Sequence, residues 1–525
     1  MDNNRFLRCE YLCTDTVSNM NDVRRLPDGR LFTVGMIGKA SQGGRYCCDS
    51  SAQFLMGRVS ADEGKKWQVS FVRQIPESTA LTLVGDFLID RDGRIHVFFV
   101  HIYSMDSAFR SAGAYNGDIT YARMDDECAN GFIYKKIDAL DRYTGSMNCV
   151  LQTGSGRIIA PFSTIANVEG SAFVSSVVYS DDNGETWRAS NDVGVVSNES
   201  SIESGAVEPV VVEVRKGVLV MLIRTVLNRL YYSVSYDEGA TWTQARPTKI
   251  PASNAPAAVL RMDDGRIVVS WNNVLGYPMC GTRYSSARQC LHAAVSDDGL
   301  KTLRGVRVIM RKRCGDPDNV LNCYPFCTPD AEGMLFVRPF SVQDREGAMW
   351  VQPQAHLLRL RADDLLAREM HNCFEEWITD SPSDEKGIRM TGTSYACVNF
   401  PYAQEGRIRL RTSGTLPAGA KILLSDCYLD KATFLGQNRS AAFDEYLTDM
   451  YIGFSAGCSG AWEIEWNARS VTLRTECGTR RVPMGAVRGG FNHLSILLED
   501  EAAELSVTDF DMCCISGDME TGIEY

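Results

Sequence analysis

Polar turn residues followed by an apolar, β-rich run recur along the first two thirds of the chain. An apolar run also precedes the turn glycine of each copy, so each copy predicts a β-hairpin with an Asp-Gly or similar turn. The successive turn glycines are separated by 64, 63, 61, 48 and 68 residues. They are Gly29, Gly93, Gly156, Gly217, Gly265 and Gly333. This spacing indicates internal repeats of one β-rich unit.

A second motif, the Asp-box, follows most of these hairpins. Residues 180–187 (SDDNGETW) and 235–242 (SYDEGATW) fit the pattern S-x-D-x-G-x-T-W, and residues 60–67 (SADEGKKW) have Lys66 in place of Thr. The copy that begins at Ser296 is one residue short and has no Trp. In such a motif Asp caps its own turn, Gly supplies a positive φ, and Trp offers a large apolar plate to a neighbouring unit. We therefore interpret these carboxylates as structural.

Repeated β-rich units of this size need neighbours to cover their faces, which favours a closed ring over an open sandwich. The repeats predict an all-β fold with a six-bladed β-propeller over residues 1–375, completed by the N-terminal strand around residues 5–12. Beyond this region short alternating strands continue without Asp-boxes. They predict an accessory β-sandwich domain of lectin-like, jelly-roll type over residues 378–525.

Composition narrows the functional classes. The chain has 525 residues, of which 44% are hydrophobic, so a disordered polymer is excluded and two or three domains are expected. The net charge of −12 argues against a nucleic-acid or anionic-membrane partner. No apolar run is long enough to span a bilayer, and the N-terminus has no secretory signal. We expect a cytoplasmic protein with free thiols at its eighteen cysteines, or a secreted one if a leader was removed.

Positions counted from the turn glycines single out three residues. The residue nine before each glycine begins the strand that leads into the turn, and it is apolar in four units but Glu208 and Tyr324 in the other two. Arg224 stands seven residues after Gly217, in the unit that carries Glu208. Charged residues in such strands break the local pattern, which is typical of functional positions. Equivalent positions of propeller blades surround one central depression, so we expect these side chains to meet there.

The Asp-boxes and these residues resemble those of the sialidases (exo-α-neuraminidases) and of the wider BNR/Asp-box glycoside hydrolases, over residues 15–360. In sialidases the acid/base Asp stands eleven residues before the Ser of the first Asp-box, which corresponds to Asp49. A family Glu roughly fifteen residues before an Arg corresponds to Glu208 and Arg224.

Two further family positions have counterparts. An Arg lies eight residues before the Ser of a late Asp-box, and Arg288 has this spacing from Ser296. The nucleophilic Tyr of the family, in a Tyr-Ser motif about thirty-five residues later, corresponds to Tyr324, which is followed by Pro325 instead of Ser.

The resemblance implies a retaining exo-glycoside hydrolase that releases a terminal acidic sugar, sialic acid or a related one, from a glycan or oligosaccharide. A neutral phenol can attack beside the substrate carboxylate, which would repel a carboxylate nucleophile. Tyr324 would be this nucleophile, Glu208 its base and Asp49 the acid/base. Arg224 and Arg288 would hold the substrate carboxylate. No cofactor and no metal is implied.

One family feature is missing from its expected place. Sialidases hold the substrate carboxylate with three arginines, the first in an Arg-Ile-Pro motif ten residues before the first turn glycine. Asn19 occupies that position, and the chain contains no Arg-Ile-Pro. Arg24 and Arg25 lie close by, and we expect them to be solvated or to link blades.

Other activities on the same fold stay open. They include release of a different acidic or keto sugar or of a neutral glycan, another glycosidase, a polysaccharide lyase, and glycan binding without catalysis. Histidines serve in some propeller enzymes, but we expect packing or surface roles for His96, His101 and His292. The oligomeric state is not indicated by the sequence.

Overall fold

The predicted hairpins lie at the start of small antiparallel sheets that follow one another along the chain. The structure, a computed structural model, describes residues 10–15, 22–37, 54–76, 81–102, 117–137, 147–165, 173–196, 204–275, 288–311, 320–329, 334–345, 348–429, 431, 451–484 and 489–525. The described turn glycines Gly29, Gly93, Gly156, Gly217 and Gly265 all have positive φ, between 76° and 103°. Glycine adopts this conformation without steric cost, which is why the hairpin turns recur at glycine.

Strands are numbered in chain order, and the first three sheets use only consecutive strands. The first sheet contains β2 (Arg24–Arg25), β3 (Leu31–Ile37), β4 (Phe54–Ser60) and β5 (Gln68–Gln74). The second contains β6 (Leu81–Ile89), β7 (Ile95–Ile102), β8 (Gly117–Met124) and β9 (Ile133–Lys136). The third contains β10 (Leu151–Gln152), β11 (Ile158–Ile165), β12 (Phe173–Ser180), β13 (Arg188–Ala189) and β14 (Val193–Gly194).

The fifth and sixth sheets each take a strand from a distant part of the chain. The fourth sheet contains β15 (Val207–Arg215), β16 (Val218–Arg224), β17 (Arg229–Ser235) and β18 (Arg246–Pro251). The fifth contains β19 (Ala258–Arg261), β20 (Ile267–Trp271), β22 (Cys290–Ser296), β23 (Thr302–Arg311) and, at its edge, β41 (Met519–Glu520). The sixth contains β24 (Val320–Pro329), β25 (Met334–Arg345), β26 (Ala348–Arg361) and β1 (Glu10–Asp15). The predicted pairing of an N-terminal strand with the last repeat is thus confirmed for β1 and β26.

Two larger sheets follow. One contains β27 (Glu369–His371), β29 (Ser383–Asp384), β30 (Gly387–Thr391), β32 (Glu405–Ser413), β36 (Gly460–Trp466), β37 (Ser470–Thr475), β38 (Gly478–Pro483) and β40 (Glu504–Ser516). The other contains β28 (Ile378–Thr379), β31 (Ser394–Ala403), β33 (Ala420–Ser425), β35 (Tyr451–Ala456) and β39 (Phe491–Leu498). The short strands β21 (Val274–Leu275) and β34 (Tyr428–Leu429) pair in parallel, and two 3₁₀ helices span Ala362–Leu366 and Phe374–Glu376.

Hydrophobic clusters join each small sheet to the next. Separate clusters lie between the first and second, second and third, third and fourth, fourth and fifth, and fifth and sixth sheets. Leu357 of the sixth sheet packs against Val23 and Leu31 at the first. Each of the first five small sheets therefore packs against the next one along the chain, and the sixth sheet contacts the first. The two larger sheets share one further core, in which Trp462 and Ile464 meet Ile422 and Leu494.

The Asp-boxes have the structural role that the sequence predicts. In the third sheet Asp182 accepts hydrogen bonds from the backbone N–H and the hydroxyl of Thr186, at 2.8 and 2.6 Å, and Ser180 accepts one from Gly184 N–H. Burial alone would raise the pKa of Asp182, but these bonds and one from the Ser180 hydroxyl lower it to about 2. The carboxylate therefore stays ionised and capped at neutral pH.

Residues near position 525 complete the Asp-box that lacks its Trp. In the box of the fourth sheet, the indole N–H of Trp242 donates to the carbonyl of Gly239 at 3.1 Å. In the fifth sheet the hydroxyl of Thr521 donates to the carbonyl of Leu300 at 2.6 Å, and Tyr525 donates to Gly299 at 2.9 Å. A distant segment thus supplies both the donor and the aromatic ring that the short box cannot provide.

Buried imidazoles mark the contact between the fifth sheet and the larger sheets. Nε2 of His292 lies 3.3 Å from Nε2 of His493, and both rings are fully buried. Nδ1 of His493 contacts the side-chain oxygen of Asn492 at 2.7 Å, so it carries the proton, and His292 donates to His493. Burial lowers the pKa of His292 to about 3. This is a packing role, as predicted for His292.

The other predicted histidines also pack inside the second sheet. His96 contacts the hydroxyl of Tyr121 at 2.6 Å and Asp90 at 3.0 Å, and His101 contacts the hydroxyl of Tyr134 at 2.9 Å. All of these contacts join residues of one sheet, which agrees with the predicted packing role.

The expectation of free thiols is wrong for one pair. Cys458 and Cys477 form a disulfide, because the β36–β37–β38 meander brings their Cα atoms within 6.3 Å. Ten other cysteines of the described residues are free, and most of them are buried. Within the same described ranges, no helix has the length and hydropathy needed to cross a bilayer.

Arg24 links the first sheet to the second, one of the roles expected for it. Its Nε lies 2.7 Å from Asp22, and its Nη2 lies 3.5 Å from Asp86 of β6. Asp86 is fully buried, and this burial, together with the nearby charge of Asp22, raises its pKa to about 7 despite Arg24. Arg25 instead donates to Glu63 and to the carbonyl of Gly29, within the first sheet.

The contact of Tyr525 with the incomplete Asp-box predicts a contribution to stability. Replacing Tyr525 with Ala removes a partly buried ring and a hydrogen bond, so the free energy of unfolding should fall by about 1–3 kcal/mol. The exposed Tyr236 offers a matched control, and Tyr236→Ala should change it by less than about 0.5 kcal/mol. Urea unfolding measures both variants. Equal, small effects would show that the segment does not stabilise the fifth sheet.

The raised pKa of Asp86 predicts that stability depends on pH. Between about pH 4 and pH 7 folded Asp86 holds a proton that the unfolded chain has released, so its contribution to stability is present below pH 4 and lost as pH rises through 7. The free energy of unfolding of Asp86→Asn, relative to that of the native protein, should therefore rise as the pH is raised from 4 to 7. Urea unfolding of both proteins at pH 4, 5.5 and 7 tests this. A difference that stays constant with pH would contradict it.

Candidate active site

Four of the five predicted site residues come together. Glu208 lies on β15, Arg224 ends β16, Arg288 precedes β22, and Tyr324 lies on β24. They belong to the fourth, fifth and sixth sheets and are brought within contact distance by the packing of those sheets. Asp49, the fifth predicted residue, lies outside the described residues, as does Asn19.

A bulged hairpin places Glu208 and Arg224 side by side. The pairing of β15 with β16 sets Val207 opposite Arg224, and the register then shifts between Val207 and Val210. Glu208, within this irregular segment, has a φ of 47°. Glu208 and Arg224 are sixteen residues apart in the sequence. They are in direct contact because they lie at the same end of one hairpin.

Tyr324 occupies an equivalent irregularity in the sixth sheet. The register of β24 against β25 shifts between Cys323 and Phe326, and Tyr324 has a φ of 52°. A positive φ is uncommon for residues other than glycine and persists only where the surroundings enforce it. The two residues that the sequence singled out by position therefore share a strained backbone, which is frequent at functional sites.

One carboxylate joins the phenol and a guanidinium. The hydroxyl of Tyr324 donates to Oε1 of Glu208 at 3.0 Å, and Nη1 of Arg224 forms an ion pair with Oε2 of the same carboxylate. Nη1 of Arg224 also lies 3.4 Å from the hydroxyl oxygen of Tyr324. The phenol thus has an acceptor for its proton and a cation beside its oxygen.

Arg288 covers the other side of the phenol. Its guanidinium carbon lies 5.4 Å from the centre of the Tyr324 ring, within the range of a cation–π contact. Its Nη1 lies 3.8 Å from the sulfur of Cys323, and burial raises the pKa of that thiol. The thiol of Cys323 is therefore neutral and accepts a hydrogen bond from Arg288, so it does not offset the charge of the guanidinium.

The described part of the site is buried and contains two guanidinium groups. Glu208 is 4% exposed, and Arg224 and Arg288 are each 2% exposed. Two guanidinium groups and one carboxylate lie together among these described side chains. Such an arrangement can bind an anion and can remove a proton from a phenol. Among the described residues, no cluster of three or more His, Cys, Asp or Glu side chains could hold a metal ion.

Position counting missed one residue of this group, Asn254, and one buried carboxylate elsewhere, Asp86. Asn254 accepts hydrogen bonds from both arginines but lies in a connection between sheets, where no repeat position exists to count. Asp86 was missed because the register of β6 against β7 shifts between Val84 and Asp86, so Asp86 does not stand nine residues before its turn glycine. The sequence did contain a signal for a buried charge here, which is the single carboxylate within the apolar run LVGDFLI.

Comparison with protein families gives one match. Residues 136–337 match the family described as BNR repeat-like domain. This range includes Glu208, Arg224, Arg288 and Tyr324. No protein with a curated description matches the chain.

Several solved structures are similar to the chain at low sequence identity. A Dyadobacter fermentans protein of unknown function is 16% identical with a TM-score of 0.48, over 69% of this chain and 100% of that one. A Trypanosoma rangeli sialidase in complex with the inhibitor DANA is 10% identical with a TM-score of 0.45, over 94% and 91%. The NanB sialidase of Streptococcus pneumoniae is 13% identical with a TM-score of 0.46, over 68% and 71%. Similarities at this level carry no conclusion about activity.

The family match agrees with the Asp-boxes, whose geometry is present in the third, fourth and fifth sheets. It also covers the hairpins that carry the candidate site. The BNR-repeat resemblance that the sequence indicated is thereby confirmed for residues 136–337, which match the family described as BNR repeat-like domain.

Proposed function

We propose that the chain is an exo-acting, retaining glycoside hydrolase of the sialidase type, which releases a terminal acidic sugar such as sialic acid from glycans. The observation that carries this proposal is the 3.0 Å hydrogen bond from the hydroxyl of Tyr324 to Glu208, beside two buried arginines. Ordinary retaining glycosidases use a carboxylate nucleophile, whereas a phenol with its own base is the arrangement found in sialidases.

In the proposed first step the oxygen of Tyr324 attacks the anomeric carbon, and its proton passes to Glu208. Phenols have a pKa near 10, so the base is needed for attack at neutral pH. The nearby Nη1 of Arg224 stabilises the negative charge that develops on the phenol oxygen. The bond between the anomeric carbon and the leaving oxygen breaks as the new bond forms.

Asp49 is proposed as the acid/base, from the family resemblance alone. It would protonate the leaving oxygen and then remove a proton from the water that attacks the glycosyl–Tyr324 intermediate. The intermediate would then break down to sugar with the original anomeric configuration, and Glu208 would return the proton to Tyr324. No cofactor takes part in this scheme.

An acidic sugar is favoured by the two arginines beside Tyr324. Arg224 and Arg288 approach from neighbouring sheets, and both lie next to Tyr324, where a carboxylate on the anomeric carbon would sit. Each charge-assisted pair with a carboxylate contributes about 1.5–3 kcal/mol.

The architecture proposed with this function is a six-bladed propeller over residues 1–375 and an accessory β-sandwich over residues 378–525. The chain order of the six small sheets, the contact of β2 with both β6 and β24, and the entry of β1 into the sixth sheet support the closed ring. The core shared by the two larger sheets supports the sandwich. The short strand β41 crosses this division by joining the fifth sheet.

Removing the hydroxyl of Tyr324 tests the role of this residue. Tyr324→Phe should lower kcat for an aryl sialoside by about a thousandfold or more, because the nucleophile is lost. The melting temperature should stay close to that of the native protein, since the aromatic ring and its packing are retained. Tyr236→Phe, at an exposed tyrosine, is the matched control and should keep full activity. Turnover that survives in Tyr324→Phe would refute the assignment.

A substrate panel tests the proposed substrate class. Aryl sialosides should be hydrolysed, and neutral aryl glycosides should be turned over at least about a hundredfold more slowly, because they lack the carboxylate. Uronate polymers serve as the lyase control, since a lyase forms an unsaturated product that absorbs in the ultraviolet. Preference for a neutral glycoside, an unsaturated product, or glycan binding without turnover of any compound would contradict the proposal.

A further inference from the structure

Asn254 contacts both arginines of the site. Its side-chain oxygen accepts a hydrogen bond from Nε of Arg224 at 2.7 Å, and its backbone carbonyl accepts one from Nη2 of Arg288 at 2.5 Å. The two arginines come from different sheets and lie 64 residues apart in the sequence, so neither hairpin alone fixes their relative position. Asn254 is a residue through which the two guanidinium groups are held together.

The segment that carries Asn254 is itself held in place. It connects β18 to β19, and the residues on both sides of Asn254 are buried. Ala252 N–H donates to the carbonyl of Asn228 at 3.1 Å, and Ser253 N–H donates to the carbonyl of Asn272 at 3.1 Å. Asn254 therefore presents its two acceptors from a backbone that is fixed to both the fourth and the fifth sheets.

The same network continues to the strand of the nucleophile. Asn272 donates through its side chain to the carbonyl of Asn322 at 2.8 Å, and Asn322 N–H donates to the carbonyl of Arg288 at 2.7 Å. Asn322 lies on β24, two residues before Tyr324. The contacts from Asn254 to Asn322 thus connect the fourth, fifth and sixth sheets behind the site.

We propose that Asn254 is a positioning residue, which sets the orientation of Arg224 and its distance from Arg288 for binding of an anionic ligand. The Nε contact fixes the rotation of the guanidinium plane of Arg224, because Nη1 is directed at Glu208 on the other side. Bidentate binding of a carboxylate requires a fixed plane, whereas a freely rotating guanidinium offers only point contacts. The catalytic use of this geometry rests on the proposed function.

Two variants separate positioning from structural support. Asn254→Ala removes the side-chain acceptor and keeps the backbone carbonyl, so Arg288 keeps its contact while Arg224 loses one. Asn254→Asp retains an oxygen at the same place. Asn130→Ala is the control, because Asn130 is an exposed residue of the second sheet whose side chain bonds only to Asp126 among the contacts of the described structure.

Kinetics with an aryl sialoside give the first measurement. Asn254→Ala should raise KM by about tenfold or more and change kcat by less than about threefold, because it disturbs binding of the carboxylate more than attack by Tyr324. Asn254→Asp keeps an acceptor for Arg224 but adds a negative charge that opposes binding of an anionic sugar, so kcat should stay within about threefold of the native value while KM stays raised. Equal KM values for Asn254→Ala, Asn130→Ala and the native protein would overturn the proposal, as would a fall in kcat at constant KM.

Crystal structures of the native protein and of Asn254→Ala give a second measurement that does not depend on activity. The guanidinium plane of Arg224 should be rotated or disordered in Asn254→Ala, while Arg288 should stay in place. Identical positions of Arg224 in both structures would overturn the proposal. If the native protein hydrolyses no sialoside, the proposed function fails, and the position of Arg224 alone decides whether Asn254 positions it.

Discussion

A buried ion pair between Arg224 and Glu208, which also binds the phenol of Tyr324, is the interaction on which the candidate site depends. Removing either charge would break this buried ion pair, at a cost of about 3–5 kcal/mol. Both Glu208 and Tyr324 have positive φ values, so the backbone is strained at the points where it delivers these groups. Buried charge and local strain at one place both oppose stability, so the packing of the surrounding sheets must maintain them.

The repeated parts of the molecule provide that support. Asp-boxes cap turns with local hydrogen bonds, and neighbouring small sheets pack against one another. Where the repeat is incomplete, Thr521 and Tyr525 from a distant segment fill the gap at the fifth sheet. The fifth sheet is also the one beside Arg288 and Asn272, so the segment contacts the sheet from which the site draws one of its arginines.

Much of this organisation could be predicted from the sequence because it is local and repeated. Turn glycines, Asp-boxes and the offsets that mark Glu208 and Tyr324 follow from short-range periodicity. A β-bulge shifts the register and moves a residue away from the position that the repeat predicts, which is why Asp86 was missed. Contacts between distant segments have no periodic signal at all, so the roles of Asn254 and Tyr525 and the disulfide of Cys458 required the three-dimensional arrangement.

The central claim is that Tyr324 attacks the sugar with Glu208 as its base. A fluorinated sialosyl fluoride slows breakdown of a glycosyl–enzyme intermediate, so the covalent species can be found by mass spectrometry of proteolytic peptides. We predict one glycosyl adduct, on the peptide that contains Tyr324 and on the phenol oxygen itself, and its absence from the Glu208→Gln protein. An adduct on another residue, or none under conditions of turnover, would contradict the claim.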